Sequence, residues 1–587
     1  MDPFPDCPWL GRRIKAGKLR LLAVFLLIGL GACKPGGPFP DGWPYSADEA
    51  PEVGEHGMVV STDEYASTVG VRILQAGGNA VDAAIATSFA LAVVNPEAGN
   101  IGGGGFMVIR LADGTTASLD YRERAPSAAS RDMYLDENGD LSEASTVGHP
   151  AVGVPGTVAG LWAAHQRFGS MSWPELVAPA MELAEGFEIR ERQARSFAES
   201  EAMLRLFPAT EAIFLPGGRL PEVGEWFRQL ELAGALGRIA ARGHDGFYRG
   251  MTADLIVAEM ESGGGLITHQ DLVQYEASWR DPIRFTYRDH TIISMPPTSS
   301  GGATLAAMAK IIEGYDLASI GWHSPAHIHL LAEAWKRAYA DRNSYLADPD
   351  FRTMPLERMI SEEYGAERRA GISMDRATPS AEVGPGLGPA DNGETTHFSV
   401  VDKGGNAVSV TTTINSWFGS GVTVTGAGFV LNNEMDDFSA RPGYPNQFEL
   451  VQGEANAIEP GKRMLSAMTP TIVLDSDDEL LLVVGSPGGA TIITNVFQQI
   501  SNVVDFGMGV QGGINAPRVH HQHLPDRIQY EVGGLPTQLI EALRVRGHTV
   551  ELWEDPYIGD VQAIIRLPDG TLAGASDHRR GGTAVGY

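Results

Sequence analysis

The 587-residue chain has only two cysteines, Cys7 and Cys33, both near its start. From residue 34 onward there is no thiol, so the body of the protein forms neither an intramolecular disulfide nor a cysteine metal site. Positive charge is also scarce. Against 73 Asp and Glu stand 44 Lys and Arg, a net charge of −29. No basic stripe follows the N-terminal region, which argues against a nucleic-acid partner; the acidity bears mainly on solubility. GxSxG, HExxH and Walker patterns are missing, and so is any internal repeat. The one conspicuous apolar run, residues 21–30, is too short for a confident membrane span. What the chain does have is 43% apolar residues, enough for a sizeable core and against global disorder.

That run sits in an ordered context. Arg12, Arg13, Lys15, Lys18 and Arg20 precede it, and Leu30-Gly31-Ala32-Cys33 closes it. Basic, apolar and small-residue segments in this order predict an export signal over residues 1–32. Small residues directly before a cysteine resemble a bacterial lipoprotein box. The resemblance implies cleavage before Cys33, lipidation of its sulfur and a periplasmic or cell-envelope protein held at a membrane; an ordinary signal peptide or an uncleaved anchor is the plainer alternative. Residues 33–55 are Pro/Gly-rich without periodicity and read as a flexible spacer.

Beyond the spacer, a short strand from Met58 leads to helices over about 66–76 and 80–94. Asn100-Ile101-Gly102-Gly103-Gly104-Gly105-Phe106 then runs into a strand. A phosphate-binding loop joins a strand to a helix; this one joins a helix to a strand, so close backbone packing is the better reading. Residues 173–374 are mostly helical in pattern, with examples at 174–186, 225–242 and 327–343. Residues 376–394 read as loop. Glu394-Thr395-Thr396-His397-Phe398-Ser399-Val400-Val401 is β-branched and aromatic, hence a strand, and a turn at 402–406 leads to a second strand over 407–415. With the hairpin centred on Gly404, Thr395 sits opposite Thr413 and Asn415 shares their face; a one-residue slip would move them to the other face. Thr395 thus opens a strand after a long loop. Cut before it, the residue would carry a free α-amine of pKa about 7.7–8 beside its own hydroxyl, base and nucleophile in one. Taken alone, two threonines also suit an ordinary surface strand.

Other motifs decide the matter. Together with Thr395-Thr396-His397-Phe398-Ser399-Val400-Val401-Asp402, the chain carries Gly77-Gly78-Asn79-Ala80-Val81-Asp82-Ala83-Ala84, the glycine run 102–105, Asp120-Tyr121-Arg122-Glu123, Val154-Pro155-Gly156-Thr157-Val158, Leu431-Asn432-Asn433-Glu434-Met435-Asp436-Asp437-Phe438 and Gly485-Ser486-Pro487-Gly488-Gly489. In this order, over about residues 50–587, they resemble the γ-glutamyltransferases (glutathione hydrolases) of the N-terminal-nucleophile hydrolase superfamily.

The resemblance implies an α+β fold, an αββα four-layer sandwich. It also implies a precursor cut between Glu394 and Thr395 into a large subunit, 56–394, and a small catalytic subunit, 395–587, that stay together as one body. Thr395 is then the nucleophile and Thr413 orients it, with Asn415 alongside. Gly488 and Gly489 stabilise the oxyanion, where glycine lets backbone N–H groups come close; a plain glycine turn is the alternative for those two residues. Arg122 and Ser466 hold the α-carboxylate, and Glu434 and Asp437 the α-ammonium. The substrates implied are glutathione and related γ-glutamyl compounds, with water, amino acids or peptides as acceptors, and no metal or organic cofactor is called for. The chain departs from the family pattern at Ala467, usually serine, at Ala490-Thr491, commonly Ser-Arg, and at Phe448 in a lid-like loop, where several bacterial relatives have a gating tyrosine. His520-His521-Gln522-His523 tempts a metal assignment, but its spacing favours a structural role. A glutaryl- or cephalosporin-type acylase and a non-catalytic peptide-binding lipoprotein are the alternatives.

Overall fold

The structure, a computed structural model, describes residues 39–386, 396–451, 453–555 and 557–587. Cys33, Glu394 and Thr395, and with them the expected lipidation and cleavage points, lie outside those residues. No helix among the described residues is long and apolar enough to cross a membrane.

Two seven-stranded antiparallel sheets form the centre. One runs in the order Glu52–Gly54, Leu572–Ser576, Gln562–Arg566, Leu480–Gly485, Thr471–Leu474, His290–Ser294, Ile283–Tyr287. The other runs Thr583–Gly586, Met58–Ser61, Thr396–Val401, Ala407–Thr413, Gly104–Arg110, Thr116–Asp120, Ser278–Arg280. Each sheet therefore takes strands from both sides of residue 395.

Strand side chains alternate between two destinations. Met58, Val60, Phe106, Val108, Ile293, Ile472, Val483 and Ile564 meet between the sheets. Their neighbours Val59, Met107, Ile109, Phe398, Val400, Val408 and Val410 face an outer core built with helices such as Glu64–Gln75, Ala80–Val94 and Trp173–Glu185. On the far side Ile292, Val473, Leu482, Val484 and Ala563 face a second outer core with Gly301–Ile312, Pro325–Tyr345 and Thr491–Val504. With both faces covered, these strands read as near-continuous apolar runs. The result is the four-layer αββα sandwich.

The hairpin register is the one expected: Thr396 lies opposite Thr412 and Val401 opposite Ala407. Asp402 Oδ1 caps the turn, accepting from the N–H of Gly404 at 2.8 Å and of Asn406 at 3.1 Å. The glycine run is likewise a packing device. A Cβ on Gly102 would lie 2.0 Å from the Val430 carbonyl oxygen, and one on Gly103 1.9 Å from that of Thr413. Residues 278–294 depart from the helical reading and form three strands, Ser278–Arg280, Ile283–Tyr287 and His290–Ser294. The strict buried–exposed alternation of Ile283-Arg284-Phe285-Thr286-Tyr287 is a strand signature that the flanking helical patterns obscured. The helix expected over 225–242 begins at Leu230, because Trp226–Phe227 pairs with Phe187–Glu188 instead.

Candidate active site

The end of the central hairpin opens onto a cleft of about 960 Å³, which Thr396, Asn415, Phe448, Gly488 and Thr491 help to line. Thr413 is buried at the end of its strand, paired with Gly104. Its Oγ1 accepts from the Asn415 N–H at 2.7 Å. Asn415 adopts φ +70° and turns its amide so that Nδ2 donates to the Asn433 carbonyl at 3.0 Å. Asn433 in turn takes the Ser416 N–H on Oδ1 and gives Nδ2 to Ser416 Oγ. Asn432 ties the same segment to the glycine run, donating to the carbonyls of Gly102 and Gly153, both at 2.8 Å. The two asparagines thus position the acids that follow them. The sequence reading passed over them, although their place directly before Glu434 was the available signal.

Behind the cleft lies a closed ionic cluster. Arg122 is fully buried and pairs with Glu434 at 2.5 Å and with Asp437. Its Nε donates to the Met464 carbonyl at 3.2 Å, and Glu123 stands 3.5 Å from Nη1. Three buried carboxylates thus surround one guanidinium. Burial pushes the Asp437 and Glu123 carboxyls well above the usual range against the pull of Arg122, with Glu434 adding to the rise. Glu434 also rises through burial, opposed first by Arg122 and then by a hydrogen bond from Thr413. Burial alone would lower the Arg122 pKa, but Glu434 and Asp437 outweigh it. A pocket with surplus carboxylate favours an incoming cation. Asp436 faces elsewhere, toward Ser145 Oγ at 2.9 Å. The structure therefore brings Arg122, Glu434 and Asp437 together and joins Thr413 to them.

Ser466 follows directly on Met464 and Leu465, whose carbonyls both face the Arg122 guanidinium. A turn fixes it: the Ser466 N–H donates to the Thr298 carbonyl at 3.1 Å, and Ser300 returns its N–H and Oγ to the Ser466 carbonyl at 2.7 and 2.5 Å. Ala467 places its methyl in the outer apolar core. Gly488 and Gly489 lie at φ +127° and +59° just ahead of the helix Thr491–Val504. Among the described residues neither N–H has a backbone acceptor. Two free N–H groups at a helix N-terminus form a ready anion site. The lid-like loop closes over this side through Ser416 Oγ, which donates to Gln447 Oε1 at 2.7 Å.

The histidine run is structural. His520 bonds Thr494 Oγ1 at 2.8 Å and Gln522 at 2.9 Å, and His521 meets Asp526 at 3.3 Å. Among the described residues, His329, Glu333 and His548 form a group with metal-ligand geometry. Their donor atoms are already engaged: His329 bonds His548 and the Ser373 carbonyl, both at 2.7 Å, and Glu333 meets Lys336 and Arg337. His397, between the sheets, bonds Thr411 and Ser399, and burial lowers its pKa to about 3, so the ring is neutral.

Four layers around a hairpin-end cleft define an N-terminal-nucleophile hydrolase. The family model described as gamma-glutamyltranspeptidase matches residues 66–587. A protein named glutathione hydrolase proenzyme from Pseudomonas aeruginosa is 48% identical over 537 residues, covering 90% of this chain and 94% of its own. One of the same name from Escherichia coli is 44% identical, covering 96% and 98%. Among solved structures, cephalosporin acylase from Bacillus halodurans superposes with a TM-score of 0.81 at 28% identity, covering 93% of this chain and 99% of its own. The chain belongs to the gamma-glutamyltranspeptidase family.

Proposed function

We propose that the chain is the precursor of an enzyme that cleaves the γ-glutamyl amide of glutathione and related compounds, passing the γ-glutamyl group to water or to an amino acid or peptide amine. Export through residues 1–32 and a lipid on Cys33 would place it in the envelope. The Thr395 hydroxyl attacks the carbonyl of Glu394 and forms an ester as the peptide C–N bond breaks and the Thr395 nitrogen takes up the proton to become a free amine; water then hydrolyses the ester, restoring the Thr395 hydroxyl and leaving Glu394 with a carboxylate. In the mature enzyme that amine takes the proton from Oγ as Oγ attacks the γ-carbonyl. The N–H groups of Gly488 and Gly489 receive the oxyanion, the proton passes to the departing amine, and water or an acceptor amine resolves the γ-glutamyl ester. Thr413 orients Oγ, with Asn415 beside it. Arg122 and Ser466 hold the α-carboxylate; Glu434 and Asp437 hold the α-ammonium.

The observation that carries this reading is the convergence of Arg122, Glu434 and Asp437 in one buried cluster tied to Thr413 and Asn415. Intact mass of the purified protein under denaturing conditions tests it. Two species splitting at Glu394/Thr395 are expected, and Thr395→Ala should remain a single inactive chain; cleavage in that variant would refute self-processing. A second reading, an acylase of glutaryl- or cephalosporin-type side chains, draws support from Ala467 and from the likeness to cephalosporin acylase. The α-amino-acid ligands Arg122, Glu434 and Asp437 weigh against it.

A further inference from the structure

The segment that leads to the expected cut is held along its length. It leaves the helix Glu362–Ala370 and runs over residues 371–386. Nine positions, 387–395, then separate Gly386 from Thr396. Connections of this kind ordinarily lie loosely on the surface. This one is met by side chains at close intervals. From the helix Pro325–Tyr345, His329 Nε2 bonds the Ser373 carbonyl at 2.7 Å, Lys336 Nζ donates to the Thr378 carbonyl, and Glu333 Oε1 accepts the Thr378 N–H at 2.9 Å. Further along, Arg368 donates to the Gly384 carbonyl at 3.0 Å, and Asp341 accepts the Gly386 N–H at 2.8 Å.

The other half of the grip comes from beyond the cut, out of the histidine run. Asp526 Oδ2 accepts the Ser380 N–H at 2.7 Å. His523 Nε2 stands 3.0 Å from the Ser380 carbonyl and 2.9 Å from that of Val383. Carbonyls only accept, so this nitrogen carries the proton. The bonds behind it fix the ring: the His523 N–H donates to His521 Nδ1 at 3.1 Å, and His521 Nε2 donates to Asp526 Oδ1 at 3.3 Å. Lys336 closes the circuit, 3.3 Å from the same Asp526 oxygen. His523 also adopts φ +73°. A side chain takes that conformation at a cost, and such positions concentrate where function needs them. Here it lets one imidazole clasp two carbonyls of the segment.

We propose that His523 and Asp526 are positioning residues for self-cleavage: they hold residues 380–383 so that the nine positions that follow bring the Glu394 carbonyl to the Thr395 hydroxyl. The proposal rests on the self-processing reading above. Attack needs one geometry, and a chain pinned close to the reacting bond samples fewer others. Loop-closure statistics set the scale. Confining the free stretch to nine positions, instead of the roughly 25 that follow the last helix, raises the frequency of the closed arrangement about fivefold. The pinned carbonyls also fix the direction in which the chain sets out.

Pulse–chase labelling of the full chain, following precursor into its two pieces, tests the proposal together with kcat/KM for γ-glutamyl-p-nitroanilide per cut molecule. His523→Ala removes both carbonyl bonds. Ser380→Pro removes the N–H that Asp526 accepts and suits the backbone, because Ser380 opens a short 3₁₀ turn and Pro379 before it is extended, at φ −56° and ψ 138°. Each variant should slow cutting by severalfold to about tenfold, the scale of one or two hydrogen bonds, while molecules already cut keep wild-type kcat/KM. His523→Gln, which restores an N–H donor, should recover part of the rate. Wild-type cutting rates in both variants would overturn the proposal and leave self-processing standing. So would insoluble protein from both, or a kcat/KM per cut molecule that falls in step with cutting, since the grip would then serve the fold at large. A wild-type chain that stays uncut would overturn both readings.

Discussion

The cluster around Arg122 and the cleft wall at Arg580 hold the same residue type in opposite settings. Arg122 is wholly buried and already matched by Glu434 and Asp437. Arg580 is half-buried, stands over an exposed tryptophan and, among the described residues, has no carboxylate within ion-pair range. A self-paired buried cluster is costly to leave incomplete, so only a ligand that supplies both charges in the right places can replace the internal partners. The contrast suggests strict selection of the γ-glutamyl half at Arg122.

The largest blow to that contrast should come from Asp437→Asn. Removing one charge from a buried, hydrogen-bonded pair costs about 3–5 kcal/mol, so kcat/KM for γ-glutamyl donors should drop on the order of a hundredfold or more. Glutaryl analogues, which lack the α-amine, should lose far less, and equal losses on a matched substrate pair would argue against ammonium recognition.

Acidity should bear next on the Arg122 cluster. The carboxyls of Glu123, Glu434 and Asp437 sit above their ordinary range because of burial. They therefore take up protons at a higher pH than free carboxylates do, and a protonated acid no longer attracts an ammonium. KM for γ-glutamyl donors should rise on acidification before ordinary carboxylates titrate. A pH series of KM for a γ-glutamyl donor checks this.

The smallest effect expected is at Ala467. A serine hydroxyl there would start in an apolar core rather than in the site and could exchange at most one neutral hydrogen bond, about 0.5–1.5 kcal/mol, so Ala467→Ser should change γ-glutamyl kcat/KM by less than about tenfold. Because the Ala467 methyl faces an apolar core, the same variant should show no gain in Tm.

Much of this was readable from residue types and spacing. The turn at 402–406 set the hairpin register, and the glycine run identified itself by lying between a helix and a strand. Both are local signals. The meeting of Arg122 with Asp437 spans 315 positions, and no spacing rule reaches that far; family motifs named the residues, but not their mutual neutralisation. The strands at 278–294 were hidden by helical surroundings. Arg195 and Arg580 carried no motif at all, since a lone arginine reads as a solvated side chain until the fold sets it beside other groups, as it sets Arg580 over Trp417.

Both sheets interleave strands from either side of residue 395. An intact precursor folds as a single molecule, with every pairing a ring closure within one chain. After a cut at that point the same pairings join two molecules. Separated by denaturation, the pieces must find each other by diffusion, and the effective concentration the linker supplied is gone. Maturation therefore acts as a ratchet: the enzyme assembles once, and its working life is set by how slowly it comes apart rather than by how well it would reassemble.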